Sequence, residues 1–480
     1  MNAKTFVETV SAFAFAATAF AMPEVTGVTM TQNSRTCAVE IKYTLSEPAV
    51  VTLDILTNAT ANAATGWASI GGEHIWNATG DVWRKVETAG EHTISWQPAE
   101  SWTDGSGDGF KVADGCALAE VSAWPPSNTP DYMVVDISEG ATPGSQRYYP
   151  RADFLPGTVP GEKGGVTNNA AYKTTKLVMR KIPAKGVTWT MGSLPTEPFR
   201  DQTSAWVRRE ATHEVTLAAN YYIGIFEFTQ GQCATIRGSY ASSFITNAVN
   251  RHLRPQENMT FNAFRGDHSN PPGSPKSDSV VGKLNERTGL DFELPTEAQW
   301  EFACRAGNGS PYWNDGTAMA FDAGGQQTNA DLDRLARYAL NGGGWTYSNG
   351  AYVQQWIGDL RNSEMFGTAP VGSYAPNSWG LYDTIGNVFE TCLDWVQPNG
   401  GISAAPNGAA NISATDPTKT YDGQTPADDG ARVARGGSFR GSSSVEATWR
   451  WCRPGTAWGW KPNATQDHGG FRLVCTAGLE

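Results

Sequence analysis

The residues of this 480-residue chain that could do chemistry crowd toward its C-terminal end. They lie in RGGSFRGSSSVEATWRWC, Arg435 to Cys452, and in the stretch after it. Beyond Arg440 come Trp449, Arg450, Trp451, Arg453, Trp458 and Trp460, then Asp467 and His468 before GGFRLV. Indole faces and guanidinium groups are frequent anchors of binding patches. Trp449 and Trp451 alternate as core-strand residues would, whereas Trp458, Trp460, Asp467 and His468 read as loop residues on the rim of a cleft. A sugar stacked on tryptophan or a peptide pressed into the groove would fit such a rim. Ser438 belongs to no Ser-His-Asp order, and the small residues around it suit a tight turn. The seven cysteines include no C-x-x-C pair and the six histidines no i, i+4 pair, which argues against a structural zinc site.

These residues must be held by elements that the rest of the sequence supplies. A chain of this length exceeds one ordinary core, so two domains plus processing segments are expected. At 40% hydrophobic it can offset its ordering entropy, and 52 Gly with 27 Pro point to a loop-rich β or α+β protein. A net charge of -12 argues against a nucleic-acid partner. Residues 1–21 read as an export signal: Lys4 supplies the positive region, Val10 to Phe20 the apolar core, and Ala19-Phe20-Ala21 the cleavage site. The apolar run is too short for a membrane span of ~20 residues, and no later segment reaches that length. The expected location is secreted, cell-surface or periplasmic, where disulfides are allowed.

Residues 22–125 alternate with period two, as in Val39, Ile41, Tyr43 and Leu45, then Val51, Leu53 and Ile55. Short strands divided by turn signals predict an immunoglobulin-like β-sandwich, flanked by Cys37 and Cys116, which leave a bridge open. Residues 126–174 are rich in proline and glycine and read as a connector with one strand, Met133 to Ile137. A mixed unit then covers 175–478. Its helices are predicted at Asp278 to Thr288, ended by Gly289, and at LPTEAQWEFACRAG, where Thr296 and Gln299 form a capping box. Trp300, Ala303 and Cys304 make the second helix's buried stripe.

Four motifs stand in order: TWTMGS (Thr188 to Ser193), LPTEAQWEFACRAG (Leu294 to Gly307), PNSWGLYDTIGNVFE (Pro376 to Glu390) and RGGSF…GGFRLV (Arg435 to Val474). Together they resemble the formylglycine-generating enzyme family, the sulfatase-modifying factors. The resemblance implies an α+β, variant C-type-lectin-like fold. In catalytic members two cysteines after the GGS motif bind copper and activate oxygen; soft thiolates are what Cu(I) requires. The matching positions here are Gly441 and Glu446, and no cysteine lies between Ser438 and Trp451. Copper is therefore not expected, and catalytic residues are assigned to none. The same region lines the family's substrate cleft, so Ser438, Arg440, Glu446, Trp458, Trp460, Asp467 and His468 are the expected ligand-binding residues.

The resemblance also implies a calcium loop, with the carbonyls of Ile385, Gly386 and Val388 and the carboxylate of Glu390 as hard oxygen donors. A second family calcium site would fall between Asn341 and Phe366, with Glu364 as a candidate. A Cys304–Cys452 disulfide is implied as well, worth about 3–5 kcal/mol for so long a loop. The iron enzymes of ergothioneine synthesis are a poor match, since the N-terminal part supplies only His74 and His92. The expected role is binding an unidentified protein, peptide or glycan. Two alternatives stay open at this level: an oxidase of the same family using an unrecognised metal site, and a variable protein of a diversity-generating retroelement.

Overall fold

The computed structural model describes residues 22–102, 112, 115–157, 165–197, 200, 210, 212–244, 250–266, 273–307, 330–343, 345–348, 351–354, 367–396, 412–413, 430–440 and 451–476. The expected export signal, Gly441, Glu446, Trp449, Arg450 and Glu364 lie outside these residues.

The N-terminal unit is a sandwich of two antiparallel sheets. One runs Val25–Gln32, Val39–Leu45, Gly90–Trp96 and Thr79–Gly80 in spatial order. The other joins Ala68–Ser69, Ala49–Thr57 and Arg84–Val86, with Ala117–Trp124 also paired to Ala49–Thr57. The alternation seen in the sequence is the pleat. Val39, Ile41, Tyr43 and Leu45 are buried while Glu40 and Lys42 face water. They pack in one core with Val51, Leu53 and Ile55 of the opposite sheet.

The expected connector is a structural part of the second unit. Tyr132–Asp136 and Arg147–Tyr149 pair antiparallel and dock on Lys176–Ile182, giving a six-stranded sheet completed by Tyr221–Gly224, Val474–Cys475 and Phe292–Glu293. The correction has a simple cause: the run Met133-Val134-Val135 is apolar and buried, with two β-branched valines, and it outweighs the flanking prolines and glycines. The same segment ties the units together. Tyr148 N–H donates to Trp83 O at 2.8 Å, and the rings of Trp83 and Tyr149 stack at 5.2 Å.

Both expected helices form. Val280–Thr288 ends at Gly289 in the left-handed region, and Glu297–Arg305 starts from a reciprocal Thr296–Gln299 capping box. A third helix, Gln230–Arg237, carries the same T-x-x-Q signature at Thr229 and Gln232, a signal the sequence reading passed over. Trp458 and Trp460 are not loop residues. They lie on Ala457–Trp460, the edge strand of a sheet ordered Ala457–Trp460, Arg432–Arg435, Phe389–Trp395 and Gly469–Gly470. Among the described residues no helix is long and apolar enough to cross a membrane.

Candidate functional site

The site is framed by charges that the fold buries. Arg435 of RGGSF is wholly buried and donates to Glu301 Oε2 at 2.9 Å, to Pro454 O at 2.8 Å and to Glu297. Glu301 also accepts from Arg305 Nε at 2.8 Å and from the Gly192 amide of TWTMGS at 2.9 Å. Burial alone would raise the Glu301 carboxyl; Arg305 and Arg435 hold it below its usual value. Three of the motifs therefore meet at one ion cluster. The fourth is tied in by backbone: Gly386 N–H donates to Gly436 O at 2.7 Å and Phe439 N–H to Asn387 O at 2.9 Å. Gly437 has φ +79°, and a Cβ there would lie 2.7 Å from the Trp451 carbonyl oxygen, so the turn needs glycine.

The Gly386–Glu390 loop, the expected calcium site, is tied into the buried charges. The Glu390 carboxylate is already engaged by a buried cation. Arg472 Nε donates to Oε2 at 2.8 Å and Nη2 to Oε1 at 2.6 Å, while Trp300 Nε1–H donates to Oε2 at 2.6 Å. Glu227 holds the loop from the other side, accepting from Val388 N–H at 3.1 Å and Asn387 Nδ2 at 2.6 Å. Among the described residues no group of three or more His, Cys, Asp or Glu is placed to hold a metal ion. Of the expected calcium set Ile385, Gly386, Val388 and Glu390, the one carboxylate is thus paired with the Arg472 guanidinium in this arrangement. Two carboxyls missed by the sequence reading complete the cluster. Burial pushes Glu227 well above the usual carboxylate range and Asp383 up to about 6. No pattern marks Glu227, which sits in the apolar run Ile225-Phe226-Glu227-Phe228; a lone buried acid there was the only clue.

The predicted rim residues come together in part. Arg440 Nη1 donates to Asp467 Oδ1 at 3.0 Å, and His468 Nδ1 lies 2.8 Å from the same oxygen. His468 is 6.1 Å from the Trp460 ring, edge-on, and Phe389 touches Trp460 and His468 in the same manner. Trp451 is half-buried rather than core, and it packs edge-on to Trp458 at 4.8 Å and to Phe389 at 5.9 Å. Ser438 turns inward: its hydroxyl donates to Arg440 O at 3.2 Å and accepts from Arg440 N–H at 3.3 Å, so it shapes the turn and does not face the rim.

Behind Asp467 stands Glu257, fully buried, accepting from the Ser242 hydroxyl and from the amides of Ser243 and Phe244 at 2.9 and 3.3 Å. Burial, opposed by those hydrogen bonds and aided by Asp467, pushes its carboxyl up to about 7. Phe244, so anchored, packs against Phe439 at 5.2 Å.

All seven cysteines are free thiols, so the expected Cys304–Cys452 disulfide is not formed. Both lie with Cys392 in one buried cluster, where burial pushes the Cys304 and Cys452 thiols up to about 12. Cys304 instead donates to Thr384 O at 3.6 Å. Cys37 and Cys116 are likewise unbridged and half-exposed.

A mixed α+β unit built around buried motif arginines, with an aromatic and charged rim beside RGGSF, defines a domain of the sulfatase-modifying factor type. The family model described as the sulfatase-modifying factor enzyme 1-like domain matches residues 178–477, and the chain belongs to that family. The formylglycine-generating enzyme of Thermomonospora curvata is 30% identical over 186 residues, 38% of this chain and 48% of that protein. The Streptomyces coelicolor enzyme of the same name is 32% identical over 182 residues, 36% of this chain and 46% of that protein. The mouse protein named inactive C-alpha-formylglycine-generating enzyme 2 is 28% identical over 186 residues, 38% of this chain and 43% of that one. These matches span about half the length of the curated relatives. Among solved structures, PvdO from Pseudomonas aeruginosa aligns with a TM-score of 0.41 and 20% identity, covering 62% of this chain and 94% of that one. Treponema denticola variable protein 1 aligns with a TM-score of 0.40 and 22% identity, covering 63% and 95%.

Proposed function

We propose that this chain is a secreted or surface-exposed, non-catalytic member of the family that binds a peptide or glycan on the rim formed by Arg440, Trp458, Trp460, Asp467 and His468. The observation that carries the reading is the convergence of these residues beside RGGSF, with Asp467 fixed between Arg440 and His468. Preorganised polar groups beside half-buried aromatics are the usual make-up of a binding patch. The sequence supports the non-catalytic half. Gly441 and Glu446 stand where the family's copper thiolates would be, and neither offers a soft ligand. The mouse relative named inactive shows that the family name is not confined to proteins named as active enzymes. The signal-like residues 1–21 support export.

The test has two readouts on the purified full chain. Anaerobic titration with Cu(I) should show no stoichiometric high-affinity site, and a cysteine-containing test peptide should acquire no aldehyde in air. Stoichiometric Cu(I) together with aldehyde formation would replace the binding reading with an oxidase.

A further inference from the structure

We propose that the ligand of this rim is a neutral carbohydrate chain, stacked on the indoles of Trp458 and Trp460; the inference rests on the binding reading above. The two tryptophans are separated by one residue on the strand Ala457–Trp460, so their side chains leave the same face. Their Cα atoms are therefore roughly 6.6 Å apart along the strand, a separation comparable to the step between rings in an extended oligosaccharide. Cross-strand register puts Trp458 opposite Ala434 and Trp460 opposite Arg432, and Arg432 itself lies over the Trp395 ring at 3.7 Å. That face of the sheet is thus aromatic, while Val433 and Ala457 on the other face join the cysteine-lined core.

Both indoles are held in place before any ligand arrives. Trp451 meets Trp458 at 85° and Phe389 meets Trp460 at 84°, edge against face. Fixed ring planes cost little entropy on binding, and a half-buried indole can offer a flat apolar surface to the C–H face of a pyranose. The polar half of the rim selects for neutrality. Arg440, Asp467 and His468 balance one another, so a strongly charged ligand would have to break an existing ion pair before making its own. Hydroxyls need no such exchange. Each donates and accepts, so it can meet the Asp467 carboxylate as a donor or the Arg440 guanidinium as an acceptor. A peptide bound along the sheet edge would use backbone hydrogen bonds, and the four-residue strand offers few of them.

The experiment uses the full chain with cellohexaose, chitohexaose and maltohexaose as neutral probes, heparin as an anionic probe, and a peptide array. Binding is read by calorimetry and by saturation-transfer NMR. At least one neutral hexaose should bind, with saturation strongest on its axial ring protons. Trp460→Ala and Trp458→Ala should each weaken it about tenfold or more, a loss of about 1.4 kcal/mol. Arg440→Ala should weaken it without moving the ring-proton pattern. If an alanine variant fails to fold, Trp460→Phe keeps an aromatic face and should retain part of the affinity. Binding of heparin alone, or of an array peptide through Trp458 and Trp460 with no hexaose binding, overturns the carbohydrate inference and leaves the rim as a binding site. No binding by any probe overturns both.

Discussion

Arg472→Met should unfold the motif core more than any rim substitution, and the structure gives the size of the effect. Arg472 is wholly buried, donates twice to Glu390, and also satisfies Gly224 O at 2.9 Å and Tyr382 O at 2.8 Å. Removing one partner of a buried pair costs about 3–5 kcal/mol, because the other charge is left without compensation. Two carbonyls would lose their donor as well, at about 1 kcal/mol each. A domain of this size shifts by roughly 2–4 °C per kcal/mol, so a total of about 5–7 kcal/mol should lower the calorimetric melting temperature by about 10–28 °C. The double variant Arg472→Met with Glu390→Leu should recover part of the loss, since it removes the orphaned charge. EDTA should leave the wild-type melting temperature unchanged, and added calcium should not raise it. A loop held by a metal ion would behave oppositely: EDTA would lower the wild-type transition by several degrees and Arg472→Met would add little. That pair of results would refute the assignment of Arg472 as the loop's cation.

Three further outcomes follow from buried groups. In native protein a thiol reagent such as DTNB should label Cys37 and Cys116, the two half-exposed cysteines, and after unfolding without reductant it should count all seven; a count of five on unfolding would mean that one bridge, such as Cys304–Cys452, forms in solution. Glu257 titrates near 7 in the folded protein against an ordinary value of 4.5, so its share of stability is full below about 4.5 and is lost as pH rises through about 7. Glu257→Gln should flatten that part of a urea-midpoint versus pH curve, leaving the shares of Asp383 and Asp394, whose carboxyls burial also raises, to about 6 and about 7; an unchanged slope would exclude the titration of Glu257 from the folded state's pH response. Gly437→Ala should destabilise the RGGSF turn measurably in a thermal melt, because φ +79° and the nearby Trp451 carbonyl leave no room for a Cβ.

Much of the architecture was legible because it obeys a period. The strand Val39–Leu45 and the Thr296–Gln299 capping box follow from alternation and from side-chain hydrogen bonding within three residues. The connector was misread because composition averages over a segment, while Met133-Val134-Val135 acts through local burial against a strand some forty residues on. Trp458 and Trp460 were placed in a loop because the intervening Gly459 breaks the strand pattern. In the fold Gly459 faces Val433 across the ladder, where a larger residue would strike Val396. The partner of Glu390 was hidden for a different reason. Spacing within Gly386–Glu390 carries information about the loop alone, and the cation that answers Glu390 comes from Arg472, 82 residues later.

The same long-range logic explains how the motifs can persist when copper chemistry is not expected of them. Arg435 answers Glu297 and Glu301, Arg472 answers Glu390, and Arg453 answers Glu197 and Glu210 at 2.8 Å each. Each arginine joins segments that are distant in sequence, and each would leave an uncompensated buried charge if replaced alone. A lineage that lost the metal-binding thiols would therefore still be held to RGGS, GNVFE and GFR by stability, while the residues between RGGSF and Trp451 would be free to change. Motif identity in this chain is thus evidence for the scaffold. Activity must be read from the sequence 441–450, which contains no cysteine, and from the rim, where Asp467 is held between Arg440 and His468 beside two fixed indoles.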